Sequence, residues 1–340
     1  MRSWIKPLIA IASSLLLGAL ILYLAGYDVA KAFSAIYIAT FRNIFAFTGT
    51  VNRSSPLIFV GLAVAIAFRG NVFNIGAEGQ LLMGAVFATL TGITLTSLPG
   101  FILIPLMILS GALGGALWAL LPGLLKAKYE VSEVITTIMF NYIALNLIGY
   151  LVRGPIMDRT QVEPQSIPIA VQGFLPALIP GTRLHLGFLL GIVMAVGVYA
   201  ILFKTYMGFE LRAVGNNRDA ARCSGISVER TITSTMLISG ALAGIGGAIE
   251  LADVHYLLEG ISPGHGYTGI SVAVLANSNP LGVILSSFLF GALSAGATTM
   301  QRMAGVSASF VGIFQGLMIV AIALATVAKS RIHRKKVKEA

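Results

Sequence analysis

Charge is scarce in this sequence. Asp, Glu, Lys and Arg supply 11% of its 340 residues, where a soluble domain carries roughly 25%. Cysteine is nearly absent, and Cys223 alone excludes an internal disulfide. The four histidines, His185, His255, His265 and His333, show no metal-ligand spacing. There is no Gly-x-x-x-x-Gly-Lys-Ser/Thr phosphate loop, so the chain does not bind ATP by that motif. No nucleophile, base and orienting group stand together in the apolar stretches, which leaves intramembrane hydrolysis without support. What fills the chain is apolar: 56% of residues are hydrophobic and the mean hydropathy is +0.88. Runs long enough to span a bilayer recur from end to end, which makes this a multi-pass membrane protein. The 38 glycines suit closely packed membrane helices. The net charge of +10 reads as a positive-inside bias rather than as affinity for nucleic acid.

The basic start, 1–6, and the apolar run after it could form a signal peptide. The run exceeds a signal core of roughly 7–15 residues, so a retained helix over 8–26 is expected. Residues 27–54, punctuated by Asp28, Lys31, Arg42 and Arg53, read as an external amphipathic segment. Further helices are expected at 55–69, 76–96, 101–125, 131–152, 184–203, 231–252, 265–277, 281–299 and 308–328. The fold class is therefore all-α, with about ten transmembrane helices (a range of 8–10), in which 55–69 and 265–277 are the weak spans. Most of the 23 Lys and Arg, including Arg69, Lys126, Lys128, the 204–230 group and the basic tail 329–340, fall on the side of the termini. Both termini are then cytoplasmic, and the proline-rich loop 153–183 is external.

Two stretches interrupt this pattern. Gly70 to Gln80 places glycines, Asn71, Asn74, Glu78 and Gln80 between apolar runs. Such a break is tolerated where backbone is buried in protein or lines a wet path. Asn74 and Glu78, four apart, share a face if the helix runs through them. They could meet a solute or shape a gate, or the stretch could be a plain cytoplasmic hairpin. The helix at 131–152 is unusually polar. Its Glu133, Thr137, Asn141 and Asn146 could line the path or bond neighbouring helices, with Glu133 placed to pair with Lys126 or Lys128. The second stretch is cytoplasmic. Asn217 is a good N-cap and Gly225 a good C′ residue for one short helix, Arg218 to Ser224, and Ser227 could cap the next helix. A short, capped helix with small residues can fit a groove on a partner. Glu250, Asp253, His255 and Glu259 end the 231–252 helix on the outside, where a solvated rim is the simpler reading than a proton or cation site.

Four ordered runs carry a family resemblance: Asn71 to Gln80, with Asn74-Ile75-Gly76-Ala77-Glu78-Gly79-Gln80; Glu133 to Tyr142; Arg212-Ala213-Val214-Gly215-Asn216 through Ser224-Gly225-Ile226; and Gly266 to Leu275 followed by Asn279-Pro280-Leu281-Gly282. The chain resembles permease subunits of ATP-binding-cassette importers, in the ribose and branched-chain amino acid permease superfamily. Within it, the nucleoside and simple-sugar group is most similar. The turn at 276–279 departs from the pattern in lacking an arginine.

The resemblance implies a single type II importer-like permease domain, 1–340, in the bacterial inner (cytoplasmic) membrane. It implies partner ATPase subunits that use ATP and magnesium while this chain binds no cofactor. A second permease copy or paralogue, an external substrate-binding lipoprotein and membrane lipid complete the partners. The chain would be a transport subunit with no catalytic or metal site. The solute path would include Asn74, Glu78, Gln80, Thr137, Asn141 and Asn146. Gly215, Asn216, Asn217, Ala220, Ala221, Ser224, Gly225 and Ile226 would couple to the ATPase, and Arg153 and Arg159 would meet the binding protein. The rival reading is a stand-alone ion-coupled carrier of a small polar solute, which would need a buried carboxylate such as Glu78.

Overall fold

The computed structural model describes residues 5–307, 309–310, 312–317 and 320–321. The described residues form helices and contain no strands. In chain order they are α1 (Ile5–Leu24), α2 (Val29–Phe41), α3 (Ile44–Arg69), α4 (Ala77–Thr94), α5 (Gly100–Tyr129), α6 (Glu133–Arg153), α7 (Gly187–Lys204), α8 (Tyr206–Asn216), α9 (Arg218–Cys223), α10 (Val228–Val254), α11 (His265–Leu275) and α12 (Pro280–Ala304). Six of them, α3, α5, α6, α7, α10 and α12, are long and apolar enough to cross a membrane. The expected span at 308–328 lies largely outside the described residues, and the basic tail 329–340 wholly so.

Burial sorts the helices into a centre and a shell. The apolar window of α3 is 89% buried and that of α10 is 67% buried, whereas those of α5, α6 and α7 are each 28% buried. The shell turns large apolar side chains outward, including Leu109, Leu113 and Leu117 on α5, Ile135 and Met139 on α6, and Val193 and Val196 on α7. That is the arrangement lipid rewards, since hydrocarbon tails are as apolar as leucine and helix contact must come from close packing. Close packing is visible along α10. A Cβ on Gly244 would lie 2.1 Å from the Gly111 carbonyl oxygen of α5, and one on Gly247 would lie 2.0 Å from the Leu81 carbonyl oxygen of α4. Only glycine lets three backbones meet there.

The region 27–54 differs from its expected form. Instead of an external amphipathic segment it holds α2 and the first eleven positions of a 26-residue α3. Asp28 caps α2 by accepting from the Lys31 amide, and Asn43 caps α3 by accepting from the Ala46 amide. Thr48, Thr50, Asn52, Ser54 and Ser55 of this stretch are all buried. Several of these hydroxyls bond carbonyls one turn back, as Thr48 does to Ile44 and Ser54 to Val51, so the helix itself absorbs their polarity.

The loop between α6 and α7 is pinned rather than free. The Ser166 amide donates to the Leu257 carbonyl at 2.8 Å, the Leu257 amide donates to Ser166 Oγ at 2.9 Å, and the Ile169 amide donates to the His255 carbonyl at 2.9 Å. Isolated bridges join Met157 to Ser166 and Ala177 to His185.

Candidate functional site: a buried polar knot and a capped surface helix

α3 stops at Arg69 because Gly70 and then Asn71, at φ +54°, turn the chain out of the helix. The helix restarts only at Ala77. Asn74 therefore does not share a helical face with Glu78, because the chain is not helical through it. Its amide instead forms a closed pair with Gln80. Asn74 Nδ2 donates to Gln80 Oε1 at 2.8 Å, and Gln80 Nε2 donates to Asn74 Oδ1 at 3.0 Å. Asn74 also donates to Ser239 Oγ on α10 at 2.8 Å and accepts from the Gly76 amide. Ser239 Oγ in turn donates to the Ala63 carbonyl at 2.7 Å, which ties the pair to α3.

The second half of the knot faces α6 and α11. Asn141 Oδ1 accepts from the Gly79 amide at 2.8 Å, and its Nδ2 donates to the Ile75 carbonyl at 3.0 Å. Glu78 Oε2 accepts from the Gly266 amide at 2.5 Å. Gly266 has no room for a side chain: a Cβ would lie 2.2 Å from the Glu78 nitrogen. Thr137 is buried against Gly76 and donates to the Glu133 carbonyl of its own helix at 2.6 Å. Five of the six expected path residues thus gather in one buried cluster. Asn146 does not join them; it is exposed and donates to the Tyr142 carbonyl at 2.8 Å. Hydrogen bonds between membrane helices average about 0.6 kcal/mol each, so the set as a whole pins α3, α4, α6, α10 and α11 together.

The knot is joined to the surface. Glu133 pairs with Lys126 at 2.8 Å, as the spacing predicts, and accepts from the Phe73 amide at 3.3 Å. α9 is capped as expected: Asn217 Oδ1 accepts from the Asp219 and Ala220 amides, and Gly225 takes φ +81°. Ser227 stands at the start of α10 without a side-chain cap bond. The coupling candidates divide by face. Ala221 and Ile226 are buried in a cluster with Val72, Val214 and Ile232. Gly215 faces inward too, since a Cβ there would lie 2.1 Å from the Arg69 carbonyl oxygen. Asn216, Asn217, Ala220, Ser224 and Gly225 are exposed. The outer face is thus free to present, while the inner face is fixed to the break. Arg218 Nη2 also donates to the Asn71 carbonyl at 3.2 Å.

Sequence reasoning did not find Arg69, Arg218 or Ser239 as members of this site. Arg69 donates to the Ser278 and Asn277 carbonyls at 3.0 and 3.2 Å, in the turn that lacks an arginine of its own. The missing arginine was the one available signal. Arg69 and Arg212 both lie over the Phe203 ring, at 5.7 and 5.3 Å, which ties α8 to the end of α3.

At the opposite end, the acidic cluster separates. Glu259 pairs with Arg153 at 2.5 Å, so this expected docking residue is engaged within its own chain, whereas Arg159 is exposed. His255, at φ +72°, stacks on Phe174 with centroids 3.7 Å apart. Glu250 lies 3.6 Å from His265. His185 is buried, which pushes its pKa below the ordinary histidine value against the pull of Asp253 and Glu250. Its Nδ1 accepts from the Gly187 amide at 3.1 Å, which fixes the neutral ring with its proton on Nε2.

Residues 46–323 match the family model described as branched-chain amino acid transport system / permease component. The chain is 41% identical over 322 residues to the guanosine ABC transporter permease protein NupP of Bacillus subtilis, covering 93% of this chain and 92% of that protein. It is 35% identical over 324 residues to a glucose ABC transporter permease protein of Haloferax volcanii, covering 92% of this chain and 85% of that protein. It is 32% identical over 311 residues to the nucleoside ABC transporter permease protein NupB of Lactococcus lactis, covering 88% and 85%. No solved structure matches the chain.

Proposed function

The chain belongs to the branched-chain amino acid transport permease family, and from that membership we propose that it is the membrane subunit of an ATP-driven importer for a nucleoside or a related sugar. The three relatives named above are permeases for guanosine, glucose and nucleosides, which supports that solute class. The protein sits in the inner membrane of a bacterium with both termini in the cytoplasm. Partner ATPases bind and hydrolyse ATP with magnesium, and this chain carries no cofactor. A second permease, a copy or a paralogue, completes the pathway. An external binding protein delivers solute over the 153–183 loop, where exposed Arg159 steers it.

The observation that carries this reading is the attachment of α9. A capped surface helix with an open outer face is fixed on its inner face to Val72 and, through Arg218, to Asn71. Movement of an ATPase against Asn216, Ala220 and Ser224 would bear directly on the break between α3 and α4. The knot behind it then acts as the gate, with Asn74, Gln80 and Asn141 holding helices in register and Glu78 joining α4 to α11. Few charges are buried along these helices, which suits a neutral polar solute.

The test is uptake of radiolabelled guanosine and glucose into vesicles, with and without the ATPase subunits. Uptake that requires the ATPases and ATP is expected. Uptake driven by a proton or sodium gradient in their absence would replace this reading with that of an ion-coupled carrier.

A further inference from the structure

One cavity in the molecule has polar walls that the fold uses only in part. It encloses about 360 Å³, within the usual size of small-molecule sites, roughly 300–1,000 Å³. Its polar lining comes from five places in the chain: Asn52 and Arg53 on α3, Arg183 before α7, Glu250 and Asp253 on α10, His265 on α11 and Ser294 on α12. Pro56, Ile249 and Pro263 supply apolar wall.

One feature sets this lining apart from an ordinary rim. Asn52 is 6% exposed, yet its Oδ1 has no hydrogen-bond partner. Buried polar atoms are almost always paired, so an orphan acceptor beside a cavity calls for a ligand or a cost. Arg53 and Arg183 are exposed and hydrated, while the half-buried Asp253 enters no hydrogen bond or ion pair among the described residues.

The charges decide what fits. Two guanidinium groups face two carboxylates, so neither a simple cation nor an anion is favoured by the site as a whole. Nor do the described residues contain a group of three His, Cys, Asp or Glu side chains able to hold a metal. A neutral solute that presents both donors and acceptors satisfies both signs: hydroxyls donate to the carboxylates, and carbonyl or ring nitrogen acceptors take the guanidinium protons. An amide such as Asn52 serves either role, and the prolines and Ile249 can cover the apolar face of a ring. We propose that this cavity is an outer solute station of the permease, and that it holds a neutral, hydroxyl-bearing solute of the nucleoside class. The inference rests on the permease reading above. The station adjoins the gate, because His265, 3.6 Å from Glu250, is next in the chain to Gly266, whose amide holds Glu78.

Solute protection of a cysteine placed in the cavity tests this in the assembled transporter. Gly49 lines the cavity, and a Cβ there meets nothing within 4 Å, so Gly49→Cys fits open space. Its reaction with a membrane-impermeant maleimide is followed in proteoliposomes, with the wild-type chain giving the background from Cys223. The probe is guanosine or glucose, whichever the wild type imports. At about ten times the dissociation constant, the reporter should react about tenfold more slowly, because an occupied cavity is closed to reagent. Adding Glu250→Gln and Asp253→Asn should abolish that protection. Ser294→Cys, on another wall, gives the same readout if Gly49→Cys fails to assemble. Labelling that solute leaves unchanged, in a transporter whose wild type imports it, overturns the station alone. A wild type that imports neither probe overturns the solute class proposed above, and the station with it.

Discussion

Two sets of polar side chains interrupt the apolar body of this molecule, one in its interior and one around a cavity, and they differ in how far their bonds are made. In the knot, Asn74, Gln80, Asn141 and Ser239 bond one another or the backbone at 2.7 to 3.0 Å. In the cavity, the buried Asn52 Oδ1 has no partner, the half-buried Asp253 makes no bond to the protein, and Arg53 and Arg183 are open to solvent. Both sets look alike in sequence, as polar residues in or beside apolar helices. A satisfied network holds helices in register. An unsatisfied one is costly to the fold and available to a solute. Polarity at membrane depth therefore marks a site of interest, but pairing decides whether it is framework or path.

The largest effect that would break the comparison is expected in the knot. Asn141→Leu leaves the Gly79 amide and the Ile75 carbonyl buried without partners, and should cost about 3 kcal/mol, read as a fall in thermal stability in detergent. A small change would mean that water replaces the lost bonds. Gln80→Leu comes next. It leaves Asn74 still bonded to Ser239 and the Gly76 amide, so about 1–2 kcal/mol is expected. Asp253→Asn, in the cavity, should move stability by no more than about 0.5 kcal/mol while raising the KM for uptake. A stability loss as large as that of the knot variants would erase the distinction.

The smallest effect is a pH dependence beside the cavity. Burial lowers the pKa of His185, and to a lesser depth that of His255, so the folded protein holds both rings neutral. The unfolded chain takes up protons near the ordinary value of about 6.5. Stability is thus fully present above that pH and declines as pH falls below it toward the folded pKa. Thermal midpoints measured across this range should be flat on the alkaline side and fall on the acid side, and His185→Gln should flatten the slope.

What could be read from sequence follows the range of the interactions. α9 was legible almost to the residue, because Asn217 and Gly225 define its ends by local chemistry. The break at Gly70 to Gly76 was legible for the same reason, as was the Lys126–Glu133 pair. The partners of Asn74 were not. Gln80 is near in sequence, but the restart of the helix at Ala77, which brings the two amides together, depends on packing against Ser239, far along the chain. The buried first half of α3 was hidden for a related reason. Its hydroxyls bond their own helix, and Asn52 and Arg53 face a cavity that exists only once α10, α11 and α12 close around it. Arg218 and Arg69 were missed because a cation at a membrane boundary has many plausible partners, and only the fold selects the Asn71 and Ser278 carbonyls.

The most direct test sets one asparagine from each cluster against the other. Asn74→Leu and Asn52→Leu make the same chemical change at two buried positions, and each variant is measured for thermal stability and for ATP-driven guanosine uptake. Asn74→Leu should lose stability. Asn52→Leu should keep it or gain slightly, since it removes an unpaired acceptor, and should lose uptake. Equal losses of stability at both positions, or full uptake by Asn52→Leu, would contradict the division between framework and path.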